Sequence, residues 1–209
     1  DGSQAIDNGD NSTCEATDQR GVDRPQDGTG DGVFSCDIGA VEVIATTLTV
    51  NMITDTDDGA CTQADCTLRE AINASNTNAG RNIIRFNLPA SSVITLGSNL
   101  PVISDTVEVD GSTAVSLTVS GNSAYRVFDI DSGTTVTMTT LTIDNGYASI
   151  ISTCPDGCGA GILNDGQLVL TNVILSNNNA WRGGGIYNDF GGTLTVAMGE
   201  FTGNAADDG

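Results

Sequence analysis

Histidine and lysine are absent from the 209 residues, and all 7 cationic side chains are arginine. The chain therefore lacks the commonest general base, the usual imidazole metal ligand and the amine needed for Schiff-base chemistry. Those absences weigh against many enzyme classes. Aromatic residues make up only 4%, with one Trp. No apolar run is long enough to cross a bilayer, and no cleavable apolar leader is present. No membrane span is expected, and the chain reads as a mature or excised segment whose export signal lies elsewhere.

What is abundant is negative charge: 27 Asp and Glu give a net charge of −20. Such a surface repels nucleic acid and anionic lipid and keeps a repetitive protein soluble. No nucleic-acid partner is expected. A hydrophobic content of 38% is enough for a folded core. Three Asp-rich runs could offer oxygen ligands to a cation, and Asp27, Asp31, Asp55 and Asp57 are the candidate calcium ligands, although no run completes an EF-hand loop. The competing reading is solvated turns in an acidic protein.

Six cysteines fall into close pairs, Cys14 with Cys36, Cys61 with Cys66, and Cys154 with Cys158. Close pairing of this kind reads as three local disulfides formed in an oxidising compartment, so a secreted, extracellular or cell-surface location is expected. The rival is a four-Cys zinc site from the last two pairs, but its spacings are looser than CxxC knuckles. Sequons at Asn11 and Asn73 permit glycosylation.

Internal repetition decides the fold class. The stretch from Gly159 aligns with that from Gly183 at an offset of 24 to 26 residues. In this alignment Ile162 matches Ile186, Asn164 matches Asn188, Leu170 matches Val196 and Asn178 matches Asn204. A third copy from Val127 places Phe128 at the first apolar position, Met138 opposite Leu170 and Ile143 opposite Leu175, leaving residues 147–158 as an insertion. Each unit holds short alternating segments such as Thr193-Leu194-Thr195-Val196, broken by Gly, Asn and Asp at corners. Strands this short cannot stand alone, but stacked at about 4.8 Å they pair in parallel and form continuous apolar ladders. The expected fold is all-β, a right-handed parallel β-helix. Asn at matched corners tolerates left-handed backbone and can stack its amides coil upon coil.

Residues 93–122 have the same texture with a less regular period. Between Thr67 and Asn76 the pattern changes: Thr67 and Glu70 form a capping box, and Leu68, Ala71, Ile72 and Ser75 share one face. A short capping helix over one end of the solenoid is expected. The division expected is an irregular tail-like module stapled by Cys14–Cys36 over 1–45, a leading strand and capping helix over 46–92, and β-helix coils over 93–209.

The run from Cys66 to Asn73, Cys-Thr-Leu-Arg-Glu-Ala-Ile-Asn, resembles the CSLREA domain, an N-terminal element of bacterial surface β-helices, with Thr in place of the usual Ser. Asp55 to Cys61 also suits it. Ala5-Ile6-Asp7, Asp18 to Gly21, Arg24-Pro25 and Cys36 to Glu42 resemble the C-terminal end of such choice-of-anchor proteins. Gly184-Gly185-Ile186 and Phe201 to Asn204 look like the repeats of chlamydial polymorphic outer membrane proteins. The tail-like segment here precedes the head-like helix. Joining residues 204–209 to residues 1–6 would restore the family order, which implies self-association through the chain ends.

Arg20, Arg24 and Arg69 lie within these motifs, where guanidinium groups suit bridging carbonyls and carboxylates. Arg69 joins Thr67 and Glu70 in the capping motif. Three functional readings follow, in order. The first is a structural or adhesive extracellular solenoid assembling head-to-tail as a tandem array or filament, not an enzyme. The second is a carbohydrate-active β-helix enzyme of polysaccharide-lyase type, for which Arg126 or Arg182 would be the basic residue. The third is a glycan-binding module, for which Trp181 offers a stacking surface. Fold alone does not choose among them.

Overall fold

The computed structural model describes residues 3–78, 80–148, 154 and 156–208. Numbered along the chain, its strands form four sheets in which every strand pairing is parallel. The largest contains, in spatial order, β1 (Ala45–Val50), β2 (Arg81–Phe86), β4 (Val107–Asp110), β7 (Thr135–Thr139), β10 (Gln167–Thr171) and β14 (Thr193–Ala197). A second sheet runs from β3 (Val93–Thr95) through β5 (Thr118–Ser120), β8 (Thr142–Asp144) and β11 (Ile174–Ser176) to β15 (Glu200–Thr202). β6 (Phe128–Ile130), β9 (Ile162–Asn164) and β13 (Ile186–Asn188) form a third, and β12 (Asn179–Ala180) pairs with β16 (Ala205–Ala206) in a fourth. From β10 the chain passes through β11, β12 and β13, one strand in each other sheet, and returns to the first sheet as β14.

Register follows the alternation of the sequence. In the first sheet Leu48, Ile84, Val109, Met138, Leu170 and Val196 occupy one column, and in the second Ile94, Val119, Ile143, Leu175 and Phe201 occupy another. Alternate residues of a strand face opposite sides. These columns therefore enter one continuous core that extends from Leu48 and Val50 to Leu170 and Leu175. Each fully buried Leu or Ile side chain contributes roughly 1.5–3 kcal/mol, so the columns dominate stability. The matches at Ile162/Ile186, Asn164/Asn188, Phe128/Ile162 and Met138/Leu170 all occur as strand partners. Half of the insertion at 147–158 lies outside the described residues.

Corners recur too. Thr140, Asn172 and Met198 each follow a first-sheet strand and turn with φ of 52°, 54° and 56°. Left-handed backbone bends the chain sharply towards the second sheet and costs about 1–2 kcal/mol for a non-Gly residue, least for Asn.

Among the described residues one α-helix interrupts this pattern, α1 (Leu68–Ser75). Its N-cap Thr67 accepts from the Glu70 amide while Glu70 accepts from the Thr67 amide, a reciprocal capping box. Leu68, Ala71 and Ile72 are fully buried and join the central core. The helix thus covers the core next to β1 and β2, and Asn82 at the foot of β2 donates to the Ser75, Asn78 and Gly80 carbonyls at its C-terminus.

Residues 3–44 contain no strand of the four sheets and are held by carboxylates accepting backbone N–H groups. Asp7 accepts from Gly28 and Thr29, Asp27 from Gly30, Asp31 and Gly32, and Asp37 from Asp7 and Val43. The module packs on the outer face of β2: Arg81 donates to the Gly28 carbonyl, and Gly30 leaves no room for a Cβ against Ile83, which is fully buried although it points away from the core.

Candidate functional site

Three disulfides join the cysteines in the pairs read from the sequence. Cys14–Cys36 staples the N-terminal module and Cys61–Cys66 the approach to α1. The two sequon amides are both engaged by the fold. Asn11 donates to the Phe34 carbonyl and accepts from the Cys36 amide, and Asn73 donates to Asp57.

The four candidate calcium ligands sit in two separate places. Asp27 and Asp31 share one turn, where Asp27 gathers three amides and Asp31 accepts from Val33 at 2.8 Å. Asp55 receives a two-pronged guanidinium from Arg69, at 3.0 and 2.7 Å, together with the Gly97 amide. Asp57 accepts from the Gly59 amide and from Asn73. Each of the four accepts at least one hydrogen bond from a protein donor, and no group of three or more acidic, Cys or His residues converges to hold a metal among the described residues.

Arg69 also donates to the Ser98 and Asn99 carbonyls, so it ties the loop before α1 to the loop after β3. Arg20 and Arg24 reach the buried carboxylates Asp18 and Glu42. Burial alone would raise the Asp18 carboxyl. The amides of Glu42, Val22 and Arg20 and the Arg20 guanidinium outweigh it and hold the group well below the usual carboxylate range. Arg126 holds Asp129 and the Cys158 and Gly159 carbonyls, beside a cleft of about 250 Å³ lined by Asn99, Tyr147 and Asp156 among others. Arg182 pairs with Asp208. Each arginine considered as a proton-abstracting base is thus committed to a carboxylate. Trp181 is half-buried.

Two arrangements escaped the sequence reading. Asp131, Asp165 and Asp189 directly follow the register partners Ile130, Asn164 and Asn188, so they stack as a column of carboxylates. Burial first, and then Asp189, Asp129 and Asp131, raise the Asp165 carboxyl, and its Oδ1 is buried without a hydrogen-bond partner. The alignment of Asn164 with Asn188 already implied that neighbouring aspartates superpose.

The second is the contrast between the ends of the stack. The β1 end is covered by α1, whereas the β13–β16 end is not: Leu194, Val196 and Phe201 are 38%, 39% and 51% exposed, against at most 1% for their partners Leu168, Leu170 and Leu175. Among the described residues no helix is long and apolar enough to cross a membrane. No family model matches the chain, and neither a curated protein nor a solved structure matches it.

Proposed function

We propose that the chain is a right-handed parallel β-helix serving as an exported structural or adhesive building block. The observation that carries this reading is the in-register repetition of apolar and Asn columns across successive coils, the arrangement by which a solenoid obtains its stability from neighbouring repeats. Parallel strands joined by crossovers adopt the right hand almost without exception. Three disulfides support folding in an oxidising compartment, and the acidic coat supports solubility of an extended repeat outside the cell. Pairing of Arg20, Arg24, Arg69, Arg126 and Arg182 with carboxylates supports ties between turns rather than catalysis. The partners implied are extracellular or cell-surface structures. Assembly through the chain ends, head-to-tail as a tandem array or filament, extends the same stacking.

Electron microscopy and fibre diffraction of the native assembly test the proposal. Thin rods with a meridional spacing of about 4.8 Å are expected. A compact particle without that spacing, or one that cleaves polysaccharides in a substrate panel, would overturn it.

A further inference from the structure

β1 is an outer strand of the first sheet and pairs with β2 on one side. The Val50 carbonyl accepts from the Asn87 amide at 2.8 Å. In a parallel ladder each residue turns both backbone groups to one side and the next residue to the other. Thr46, Leu48 and Val50 therefore bond β2, while Ala45, Thr47 and Thr49 face away from it. That outward edge is engaged at both ends by backbone from elsewhere in the chain: the Ala45 amide donates to the Asp27 carbonyl at 3.2 Å, and the Asn51 amide to the Cys66 carbonyl at 3.0 Å. Between these two bonds the N–H and C=O groups of Thr47 and Thr49 meet no partner among the described residues. Both threonines are exposed, and together with Leu48, Cys61, Thr62 and Gln63 they line a cleft of about 140 Å³ that holds no charged side chain.

We infer that this stretch of β1 is a binding site for a short extended segment of a partner protein, added to the sheet edge through its backbone. Donors and acceptors alternate along the edge as an extended chain requires, and an unpaired strand edge is a template for such pairing. Continuity with the existing bonds sets the length. From Ala45 to Asn51 the edge runs roughly 20 Å at about 3.3 Å per residue, and with Asp27 and Cys66 at its two ends it takes about three or four residues. The small uncharged cleft suits a side chain of Val or Thr size. Asp27 and Asp65 at the two ends, in a chain of net charge −20, favour a neutral or basic segment over an acidic one. A second copy of the chain is a poorer occupant, because it brings the same −20 to the contact. The inference goes beyond the structural reading above and does not rest on it, needing only β1, β2 and the segments that flank them.

The test uses the full chain and the capped peptide acetyl-Arg-Thr-Val-Thr-amide, with amide hydrogen exchange read residue by residue by NMR. Saturating peptide should slow exchange at Thr47 and Thr49 about 10-fold and leave Leu48 and Val50, already bonded to β2, unchanged. Thr49→Pro removes an outward N–H without touching a β1–β2 bond, so its melting temperature should hold while peptide binding falls about 10-fold. Two peptide analogues N-methylated at alternate residues keep the test open should that variant fold poorly. One should lose binding to the unaltered chain and the other keep it, because only alternate amides of a strand face its neighbour. Unchanged exchange at Thr47 and Thr49, or binding that survives Thr49→Pro and both methylations, would overturn the inference. Slowing of the same amides with rising protein concentration and no peptide, with sedimentation as a dimer, would assign the edge to a second copy and overturn it as well.

Discussion

Asn178 is completely buried, and its side chain closes three contacts: its Oδ1 accepts from the Gly146 amide at 2.7 Å, and its Nδ2 donates to the Ile143 carbonyl and to Asn204. Asn178→Ala removes all three at once. Gly146 N–H and the Ile143 carbonyl are left in a buried site, each at about 1–3 kcal/mol, while the Asn204 amide lies near the open end where water replaces the lost partner. The expected loss is about 4 kcal/mol. At about 3 °C per kcal/mol for a domain of this size, the melting temperature falls by about 12 °C. Asn204→Ala removes a matched column residue that is only half-buried, and should cost no more than about 1.5 kcal/mol. Thermal and urea denaturation followed by circular dichroism measure both. Equal losses for the two variants, or a loss below about 1 kcal/mol for Asn178→Ala, would refute the assignment of stability to a buried amide column.

Asp165→Asn should raise the melting temperature at pH 7. The folded carboxyl titrates above its unfolded value, so the penalty of charging it develops as pH rises through and above the ordinary carboxylate range. Below that range both states are protonated and the advantage of the variant should vanish in a pH series. Thr67→Ala should destabilise by about 1 kcal/mol through loss of the cap, read as a drop in the urea midpoint. Met198→Asn should stabilise by about 0.5–1 kcal/mol in the same assay, because an exposed side chain is exchanged for one that tolerates φ near 56°. Opening Cys14–Cys36 by replacing both with Ser should cost about 3 kcal/mol by the loop-closure relation for its separation of 22, visible as selective exchange in residues 3–44.

The parallel strand pairings were legible because their information is local and periodic. One alignment placed Phe128, Ile162 and Ile186 together and carried Asn164 onto Asn188, and the Thr67 and Glu70 spacing placed the helix cap. The N-terminal module was opaque because it has no period. Its geometry depends on single carboxylates reaching amides some 20–30 residues away, such as Asp7 to Gly28 and Asp37 to Asp7. The expectation of calcium ligands rests on the same local composition. An Asp-Gly turn in which a carboxylate gathers amides, as Asp27 does with Gly30 and Gly32, has the same composition as one that offers oxygens to a cation. The covering of Ile83 by Gly30 was invisible as well, since an outward Ile in a strand carries no mark of what lies above it.

In-register repetition makes each side chain the neighbour of its own copy. Where the repeated residue is Thr or Leu that identity is harmless, and the outer face of the first sheet accordingly carries Thr135, Gln167 and Thr193 in one file and Thr137, Val169 and Thr195 in the next. Where it is Asp, every duplication of a coil adds another like charge about 4.8 Å further on, as at Asp131, Asp165 and Asp189. Lengthening such a protein by copying coils is therefore self-limiting at its acidic corners, unless the new copy exchanges its aspartate for a neutral residue or the surrounding medium supplies counterions.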